Sequence, residues 1–177
     1  LRGMKMRFFG LGARVMQKMG VSTQLLAGGD IFPALEKGVI DATEFSMPAM
    51  DIKYGFYQIA KNNYFPGWHQ QVSVSQILMN KKKFDGLSDA NKALVEVGCG
   101  DSIHHTYAET EYVNPFAMVE MGEKHGVVVR RWKDDQLAVF EKAWNEVVTE
   151  DSKKDPVFKR VNESYAKFRK AYAKWGA

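Results

Sequence analysis

The sequence predicts an α/β fold in which a mostly parallel sheet is flanked by helices. Three runs with the composition and alternation of β-strands, Met4–Phe9, Val21–Leu26 and Val39–Phe45, are separated by two segments with helical spacing of apolar residues. The connections between them are short and rich in glycine. Strands that alternate with helices in this way favour a parallel sheet, whose ligand crevice lies at the carboxyl ends of its strands.

The two helices of this alternation begin or end near glycines. The turn Gly10–Gly12 precedes a helix with apolar residues at helical spacing over Val15–Met19, and Gly20 ends it as a C-cap. A shorter helix is predicted over Ile31–Lys37, closed by Gly38. The first turn lacks the third glycine of a dinucleotide fingerprint, so a nucleotide-binding fold has weak support. Its helix still offers free N–H groups and a positive dipole end to a small anion.

The middle of the chain has weaker local signals. Residues 46–71 are rich in aromatic side chains, with glycine and proline among them, and are predicted to be irregular. The run Val72–Met79 alternates and is rich in β-branched residues, which predicts a strand, and Lys81–Lys83 is interpreted as its solvated exit. Ser88 is the predicted N-cap of a long helix, and Asn114–Pro115 leaves open whether this is one helix or two joined ones.

The C-terminal segment is predicted to contain a short strand, Val127–Arg130, and helices after it. The last helical segment has the sharpest periodicity of the chain, because its large apolar side chains recur in steps of three and four. They are Phe158, Val161, Tyr165, Phe168, Tyr172 and Trp175. Such a stripe has to be covered, and packing on this chain's own body and docking on a partner's surface are equally open interpretations.

Composition excludes several classes of protein. At 177 residues, 45% of them apolar, the chain is long enough for one globular core or two small lobes. No run approaches the roughly 20 apolar residues of a membrane span. The single cysteine, Cys99, excludes an internal disulfide and a metal site built on cysteine pairs. Leu1 is not an initiator Met and no signal peptide follows it, so the chain is expected to begin inside a larger protein.

The net charge of +4 lies at the C-terminal end, since residues 127–177 contain 12 Lys and Arg against 8 Asp and Glu. A basic segment of this kind could attract nucleic acid or an anionic membrane. Here charges of opposite sign alternate at helical spacing, as in Lys159 and Glu163, which favours a solvated helix face and no nucleic-acid partner.

Three polar side chains are candidates for a small-anion site. The guanidinium of Arg7 presents parallel donors that match the two oxygens of a carboxylate, although an exposed strand arginine is the interpretation that spacing alone favours. Glu44, at the end of an apolar-leaning strand, either caps a neighbouring helix or binds a cation. Gln70 follows Trp68 on a loop and either supplies an oxygen ligand to a hard cation or makes a structural hydrogen bond.

No motif predicts catalysis. The chain has no H-E-x-x-H, no G-x-S-x-G and no convincing nucleophile beside a base, so no catalytic residue is assigned. His104 and His105 are adjacent on the long helix and therefore point apart, which argues against a shared metal. Glu109, four residues after His105, is predicted to be its surface partner.

Three sequence segments carry a resemblance to a known family. They are M-R-F-F-G-L-G at 6–12, G-G-D-I-F-P-A-L-E-K-G-V-I-D-A-T-E-F at 28–45 and Y-F-P-G-W-H-Q at 64–70. With them the chain resembles, over essentially its whole length, the C-terminal part of the solute-binding subunit of TRAP transporters, the DctP type. The resemblance implies a periplasmic-binding-protein-like lobe over 1–80, a long connecting helix over 81–126, and a strand with C-terminal helices over 127–177.

The most similar branch of that family binds 2-oxo or hydroxy acids together with a metal ion, which implies roles for particular residues. Arg7 would bind the substrate carboxylate, while Phe45 and Trp68 would wall the pocket. A sodium or calcium ion would be held by the Glu44 carboxylate, the Phe45 backbone carbonyl and the Gln70 amide, which also lies at the substrate. Phe45 stands where that branch often has Trp, and Gln70 where it has Glu, so the site would carry one negative charge less.

The resemblance also implies a periplasmic protein that is not an enzyme. It would bind a small monocarboxylate and deliver it to the membrane permease subunits, and its C-terminal helix could form a homodimer contact. Two other hypotheses stay open from the residues. One is a metal-assisted α/β enzyme that acts on a small carboxylate, and the other is an interaction module whose basic, aromatic C-terminal helix docks on a partner or on nucleic acid.

Overall fold

The computed structural model describes residues 1–70 and 72–176. The chain divides into two units: unit 1 comprises Leu1–Phe45 and Arg131–Ala177, and unit 2 comprises Ser46–Arg130. Within the described residues, no helix combines the length and the apolar character needed to cross a bilayer. The division of the chain at residues 80 and 126 stays a prediction.

The elements follow one another in a βαβαβ order and then as mainly helical structure. In chain order they are β1 (Lys5–Arg7), α1 (Gly10–Lys18), β2 (Ser22–Gln24), α2 (Gly28–Glu36), β3 (Ala42–Thr43), α3 (Pro48–Lys53), a 3-10 turn (Phe56–Gln58), β4 (Asn62–Phe65), α4 (Lys81–Asp85), α5 (Asp89–Glu123), β5 (Val128–Arg131), α6 (Asp134–Lys154) and α7 (Pro156–Tyr172).

Unit 1 contains the predicted parallel sheet, which is confirmed. Its strand order is β2-β1-β3, and β1 pairs in parallel with both neighbours. Arg7, the last residue of β1, lies opposite Gln24 on one side and Thr43 on the other. The predicted helices between the strands are present as α1 and α2, so the first 45 residues form two β-α-β steps with short connections.

The core of unit 1 is built from the inner faces of these elements. The buried apolar residues are Phe8, Val15, Met16, Val21, Ile31, Leu35, Ile40, Phe140, Ala143 and Val147. Val15 and Val147 are fully buried, on α1 and α6, and these two helices pack against each other. Each fully buried large aliphatic side chain contributes about 1.5–3 kcal/mol, so this seam anchors the C-terminal helices to the βαβαβ segment.

The helices α6 and α7 are joined at Asp155, whose carboxylate accepts from the N–H groups of Val157 and Phe158 and so caps α7. Pro156 occupies the first turn, where its missing N–H costs nothing. Of the predicted apolar stripe on α7, Phe158 is half-buried and the other five side chains are 51–85% exposed. The described part of the chain therefore leaves most of the stripe uncovered.

Unit 2 corrects the prediction that residues 46–71 are irregular. They contain α3, the 3-10 turn and β4, and β4 pairs with β5 in a two-stranded sheet. The missed local signal is Pro48, which occupies the first turn of α3, a position that proline favours. The partner of β4 follows α5 in sequence, so no local pattern could reveal that pairing.

The strand predicted at Val72–Met79 is wrong, because this run has no regular secondary structure. Alternation of apolar and polar residues favours a strand, but a strand also needs a second strand to pair with. No described residue pairs with this run. Lys81–Lys83 is likewise not a strand exit, since it forms the start of α4. Asn80 is the N-cap of that helix and accepts from the Lys83 N–H at 3.2 Å.

The long helix α5 runs without a break through all 35 of its residues, with Ser88 as the predicted N-cap. Pro115 lies inside it, so the alternative of two helices is excluded. Asn114 contributes to this arrangement, because its Nδ2 donates to the Thr110 carbonyl at 2.8 Å in the preceding turn. Its Oδ1 accepts from the Ala49 N–H at 3.0 Å and thereby caps α3 from a neighbouring helix.

Candidate functional site

Arg7 is the centre of the candidate site and is only 7% exposed. Its Nε donates to the Leu26 carbonyl at 3.2 Å. Its Nη1 donates both to the Glu44 carbonyl at 2.7 Å and to Glu44 Oε2 at 2.9 Å. The interpretation of Arg7 as an exposed strand arginine is therefore wrong. A guanidinium this buried needs a counter-charge, and Glu44 supplies it.

The topology of the sheet brings these groups together. Arg7 ends the central strand β1, Leu26 follows β2 and Glu44 directly follows β3. Because the three strands are parallel, their carboxyl ends meet at one edge of the sheet, which is where open α/β sheets bind ligands. The guanidinium thus ties together the ends of all three strands.

The Glu44 carboxylate also caps the start of α1. Its Oε2 accepts from the N–H of Phe9 at 3.2 Å, and Phe9 is the N-cap residue of α1, which has no side-chain cap of its own. A carboxylate at a helix N-terminus is stabilised by the free N–H groups and the helix dipole. The helix-capping alternative for Glu44 is therefore confirmed. Thr43 Oγ1 donates to the Glu44 carbonyl at 2.9 Å and holds the same peptide unit.

One end of the Arg7 guanidinium has no acceptor among the described residues. A guanidinium has five N–H donors, and the contacts above use the one on Nε and those on Nη1. No described residue accepts from Nη2, which leaves this nitrogen to bind an external acceptor. The Phe45 ring lies beside the same group, with its centroid 5.4 Å from Cζ, in cation–π geometry.

Trp68 and Gln70 belong to unit 2, on the segment that follows β4. Trp68 is half-buried, and its ring packs edge-on against His69 at 5.2 Å between centroids. Gln70 is exposed, and its Nε2 donates to Ser73 Oγ at 2.8 Å, which confirms a structural hydrogen bond for the amide nitrogen. No described residue donates to its Oε1, so that oxygen remains a candidate ligand.

The structure thus brings Arg7, Glu44 and Phe45 together within unit 1, while Trp68 and Gln70 lie in unit 2. That the residues of unit 1 and those of unit 2 bind one ligand stays a prediction. Within the described residues, no three His, Cys, Asp or Glu side chains are grouped so that they could hold a metal ion. A cation at Glu44 would therefore take its further ligands from oxygens of other kinds, such as backbone carbonyls, amides, water or the bound acid.

The histidines on α5 behave as predicted from their spacing. His105 Nε2 lies 3.7 Å from Glu109 Oε2, and both side chains are largely exposed, so they form a surface pair. His104 bonds through Nδ1 to the Gly100 carbonyl one turn earlier.

Two contributors to the site carry no side-chain signal and were missed in the sequence. Leu26 acts through its backbone carbonyl and Phe9 through its backbone N–H. The only sequence signal that could have found them is position, because each is the last residue of a predicted strand of the same parallel sheet.

Comparison with known proteins identifies the family. Residues 1–155 match the DctP family model, described as "Bacterial extracellular solute-binding protein, family 7". A monocarboxylate 2-oxoacid-binding periplasmic protein of Nostoc sp. (strain PCC 7120) is 29% identical over 175 residues, which cover 99% of this chain and 48% of that protein.

Two solved structures are similar along nearly the whole chain. A TRAP transporter solute-binding protein from Bordetella bronchiseptica RB50 is 34% identical with a TM-score of 0.87, covering 99% of this chain and 52% of that one; it is a mixed-occupancy dimer with calcium and picolinate in one active site. A TRAP periplasmic solute-binding protein from Pseudoalteromonas atlantica T6c, with bound sodium and pyruvate, is 25% identical with a TM-score of 0.89, covering 99% and 53%.

The chain spans about half the length of these relatives. The match to the family model covers most of it, and the observed α/β architecture agrees with the solved relatives. The resemblance that the sequence segments indicated is thereby confirmed. The chain belongs to the DctP family of bacterial extracellular solute-binding proteins.

Proposed function

We propose that this protein binds a small monocarboxylate, a 2-oxo or 2-hydroxy acid, together with a sodium or calcium ion in the periplasm, and passes it unchanged to the membrane permease subunits of a TRAP transporter. The observation that carries the proposal is the buried Arg7, whose Nη2 is left without a protein acceptor among the described residues. The metal-assisted enzyme is not proposed, because the family and the relatives are described as solute-binding proteins.

The geometry of Arg7 restricts how it would hold the acid. Nε and Nη1 are occupied by Leu26 and Glu44, so a carboxylate would accept from Nη2 and not from a parallel pair of nitrogens. The same contacts fix the guanidinium before any ligand arrives. A donor that is already oriented loses little conformational entropy on binding, which favours affinity for a small ligand with few contacts.

The cation would be held by Glu44, the Phe45 carbonyl and the Gln70 amide oxygen. One carboxylate with carbonyl and amide oxygens is a donor set that suits hard cations such as sodium and calcium and not thiolate-seeking metals. The relatives support this class of ligand, since one contains calcium with picolinate and another sodium with pyruvate. Both acids place a second donor atom beside the carboxylate, which allows chelation.

Charge balance links the two ligands. Arg7 and Glu44 already neutralise each other at 2.9 Å. An acid that entered alone would add an unbalanced negative charge beside the Glu44 carboxylate, whereas a sodium ion would cancel that charge and a calcium ion would leave one positive charge. Each ligand should therefore raise the affinity for the other by the same factor.

We also propose that the protein forms a homodimer through the exposed stripe on α7. The stripe is aromatic and more than half exposed over its five C-terminal members, as expected for a protein contact. The Bordetella bronchiseptica relative, which is a dimer, supports this proposal.

The first test is calorimetric titration with pyruvate and lactate, with and without a chelator. We expect stoichiometric binding without turnover, and Arg7→Ala should weaken it by about 2–5 kcal/mol because a buried charged contact is lost. Arg2→Ala, which removes an exposed arginine from the same unit, is the matched control and should bind like the wild type. Unchanged affinity in Arg7→Ala would remove Arg7 from the site.

The second test concerns Gln70. Gln70→Ala should weaken the cation dependence of acid binding, because an oxygen ligand is lost, and Gln70→Glu should strengthen calcium binding, because a negative charge is added. Gln58→Ala, at another exposed glutamine of unit 2, serves as control. If all three variants show the wild-type dependence on calcium and sodium in the same titration, Gln70 is not a cation ligand.

A further inference from the structure

The helix α7 and the residues after it carry the net positive charge of the molecule. Residues 156–177 contain six Lys and Arg and one Glu, whereas residues 1–155 contain 19 Lys and Arg against 20 Asp and Glu. The match to the family model ends at residue 155, so this concentration of charge belongs to a part of the chain outside that match. A segment this basic is expected to attract an anionic partner.

Four of these cations form a line along one side of the helix, which we call the basic line. They lie seven, three and four residues apart, a spacing that places them on one face, and all are exposed: Arg160, Lys167, Lys170 and, just after the end of α7, Lys174. The ion pair described within α7 joins Lys159 to Glu163 at 3.8 Å and uses none of the four. The basic line is therefore not neutralised by the described part of the chain.

The basic line lies on a different side of α7 from the apolar stripe. Arg160 and Lys167 each precede a member of the stripe by one position, and successive helical residues are about 100° apart around the axis. Lys170 lies two positions from both Phe168 and Tyr172, which places it nearly opposite them. The dimer proposed above, which covers the stripe, would leave the basic line exposed.

The arrangement of these cations fits a broad anionic surface and not a single small anion. All four side chains are exposed, whereas a cation that holds one small anion is fixed by its neighbours, as Arg7 is. Between Arg160 and Lys170 the line extends over about 15 Å of helix, a length that lipid headgroups in a plane can match. A nucleic acid is also an anionic surface, but the family is described as extracellular, where the anionic surface at hand is the membrane.

We propose that the basic line of α7 binds the headgroups of anionic phospholipids at a membrane surface. The attraction is electrostatic, and the aromatic stripe stays in the contact between the two copies. Each Lys or Arg near an anionic bilayer strengthens binding about fivefold, so four cations per copy hold the protein at the surface reversibly. Such binding would keep the protein close to a membrane permease, and it does not depend on which acid the protein carries.

The test is co-sedimentation of the full 177-residue chain with lipid vesicles. One set is pure phosphatidylcholine, which is neutral overall, and the other contains about one third phosphatidylglycerol, which is anionic. We expect binding to the anionic vesicles and little or none to the neutral ones. Binding should be lost when the salt concentration rises from about 0.1 M to about 1 M, because the Debye length falls from about 10 Å to about 3 Å.

A pair of double variants separates the basic line from the overall charge. Lys167→Gln combined with Lys170→Gln removes two cations of the line and should weaken binding to anionic vesicles about 25-fold, at about fivefold for each charge. Lys37→Gln combined with Lys142→Gln removes the same charge from exposed positions elsewhere in unit 1 and should change binding less than about twofold. All four positions are exposed, so both variants should keep the fold, which circular dichroism checks.

Three results would overturn the proposal. The first is a wild type that does not bind anionic vesicles, and a DNA duplex titrated in parallel would then show whether the line binds nucleic acid instead. The second is equally tight binding to neutral vesicles, which would mean that the apolar stripe inserts into the bilayer. The third is equal weakening in the two double variants, which would assign the attraction to the net charge of the protein and not to the basic line.

Discussion

At the scale of single residues, Arg7 and Glu44 each hold the other's side chain in position. Glu44 neutralises and orients Arg7 through its carboxylate and its carbonyl, and Arg7 with the Phe9 N–H fixes Oε2 of Glu44. Removing one partner of such a pair leaves a buried charge without compensation, which usually costs more than the pair contributes. The pair should therefore be required for stability as well as for binding.

Glu44→Gln tests this dependence, since it keeps the size of the side chain and removes its charge. We expect the free energy of unfolding to fall by about 3 kcal/mol, because Arg7 keeps its carbonyl acceptors but loses its only described counter-charge. Urea denaturation measures the effect. Glu36→Gln, at an exposed position of α2, is the control and should stay within about 0.5 kcal/mol of the wild type. Equal losses in the two variants would contradict the expectation.

At the scale of elements, the seam between α1 and α6 combines apolar packing with a rim of ion pairs. Arg14 bonds to Asp151 and lies 3.4 Å from Glu150, while Lys18 lies 2.6 Å from Glu150. The hydrogen bond from Lys18 lowers the pKa of Glu150, and the same bond raises the pKa of Lys18. All four side chains are at least partly exposed, so salt should screen their attraction.

The pH dependence of this rim follows from the direction of the Glu150 shift. Because its pKa is lowered from 4.5, its stabilising effect is fully present above pH 4.5 and is lost as the pH falls through the pKa of the folded state. Glu150→Gln should therefore reduce unfolding stability at neutral pH and lose that difference in acid. Thermal unfolding from about pH 7 to about pH 3 measures it. A difference that is constant across this range, or insensitive to salt, would contradict the assignment.

The sequence predicts an element well when the interactions that form it lie within a few residues, and poorly when they join distant parts of the chain. The parallel sheet and α1 could be predicted, because alternation, helical spacing and glycine turns act within a few residues. The pairing of β4 with β5 could not, since Lys61 and Val128 meet only through the folded chain. The Val72–Met79 strand was predicted and is absent, because β propensity does not supply a neighbour.

The same distinction applies to the site. Arg7 and Glu44 could be proposed from their chemistry, but their burial and mutual contact depend on the strand order, in which β1 is central. The sequence does not single out the Leu26 carbonyl, because every residue has a backbone carbonyl. The proposed restriction of an acid to Nη2 follows from that carbonyl and from the Glu44 contacts, which exist only in the folded arrangement.

At the scale of the whole molecule, the stripe on α7 points to assembly, because it offers large side chains on a formed helix. On α7 the rings of Phe168 and Tyr172 stack at 5.6 Å between centroids, and Arg169 lies over Tyr165 at 5.9 Å. Rings that are already ordered lose little entropy in a contact, which makes this face a good candidate for a symmetric interface.

A two-fold interface through α7 would place the same residues from both copies near its axis, so a charge there would be repeated and would repel itself. Phe168→Asp should therefore convert the proposed dimer into monomers, seen as a lower sedimentation coefficient at every loading concentration. The fold should survive, since Phe168 is 61% exposed. Lys167→Asp changes charge at the neighbouring position off the stripe and should leave the dimer intact. Two results would contradict this interface: a wild type that sediments as a monomer, or a Phe168→Asp variant that sediments as a dimer like the wild type. In either case the stripe would have to be covered by something other than a second copy of α7.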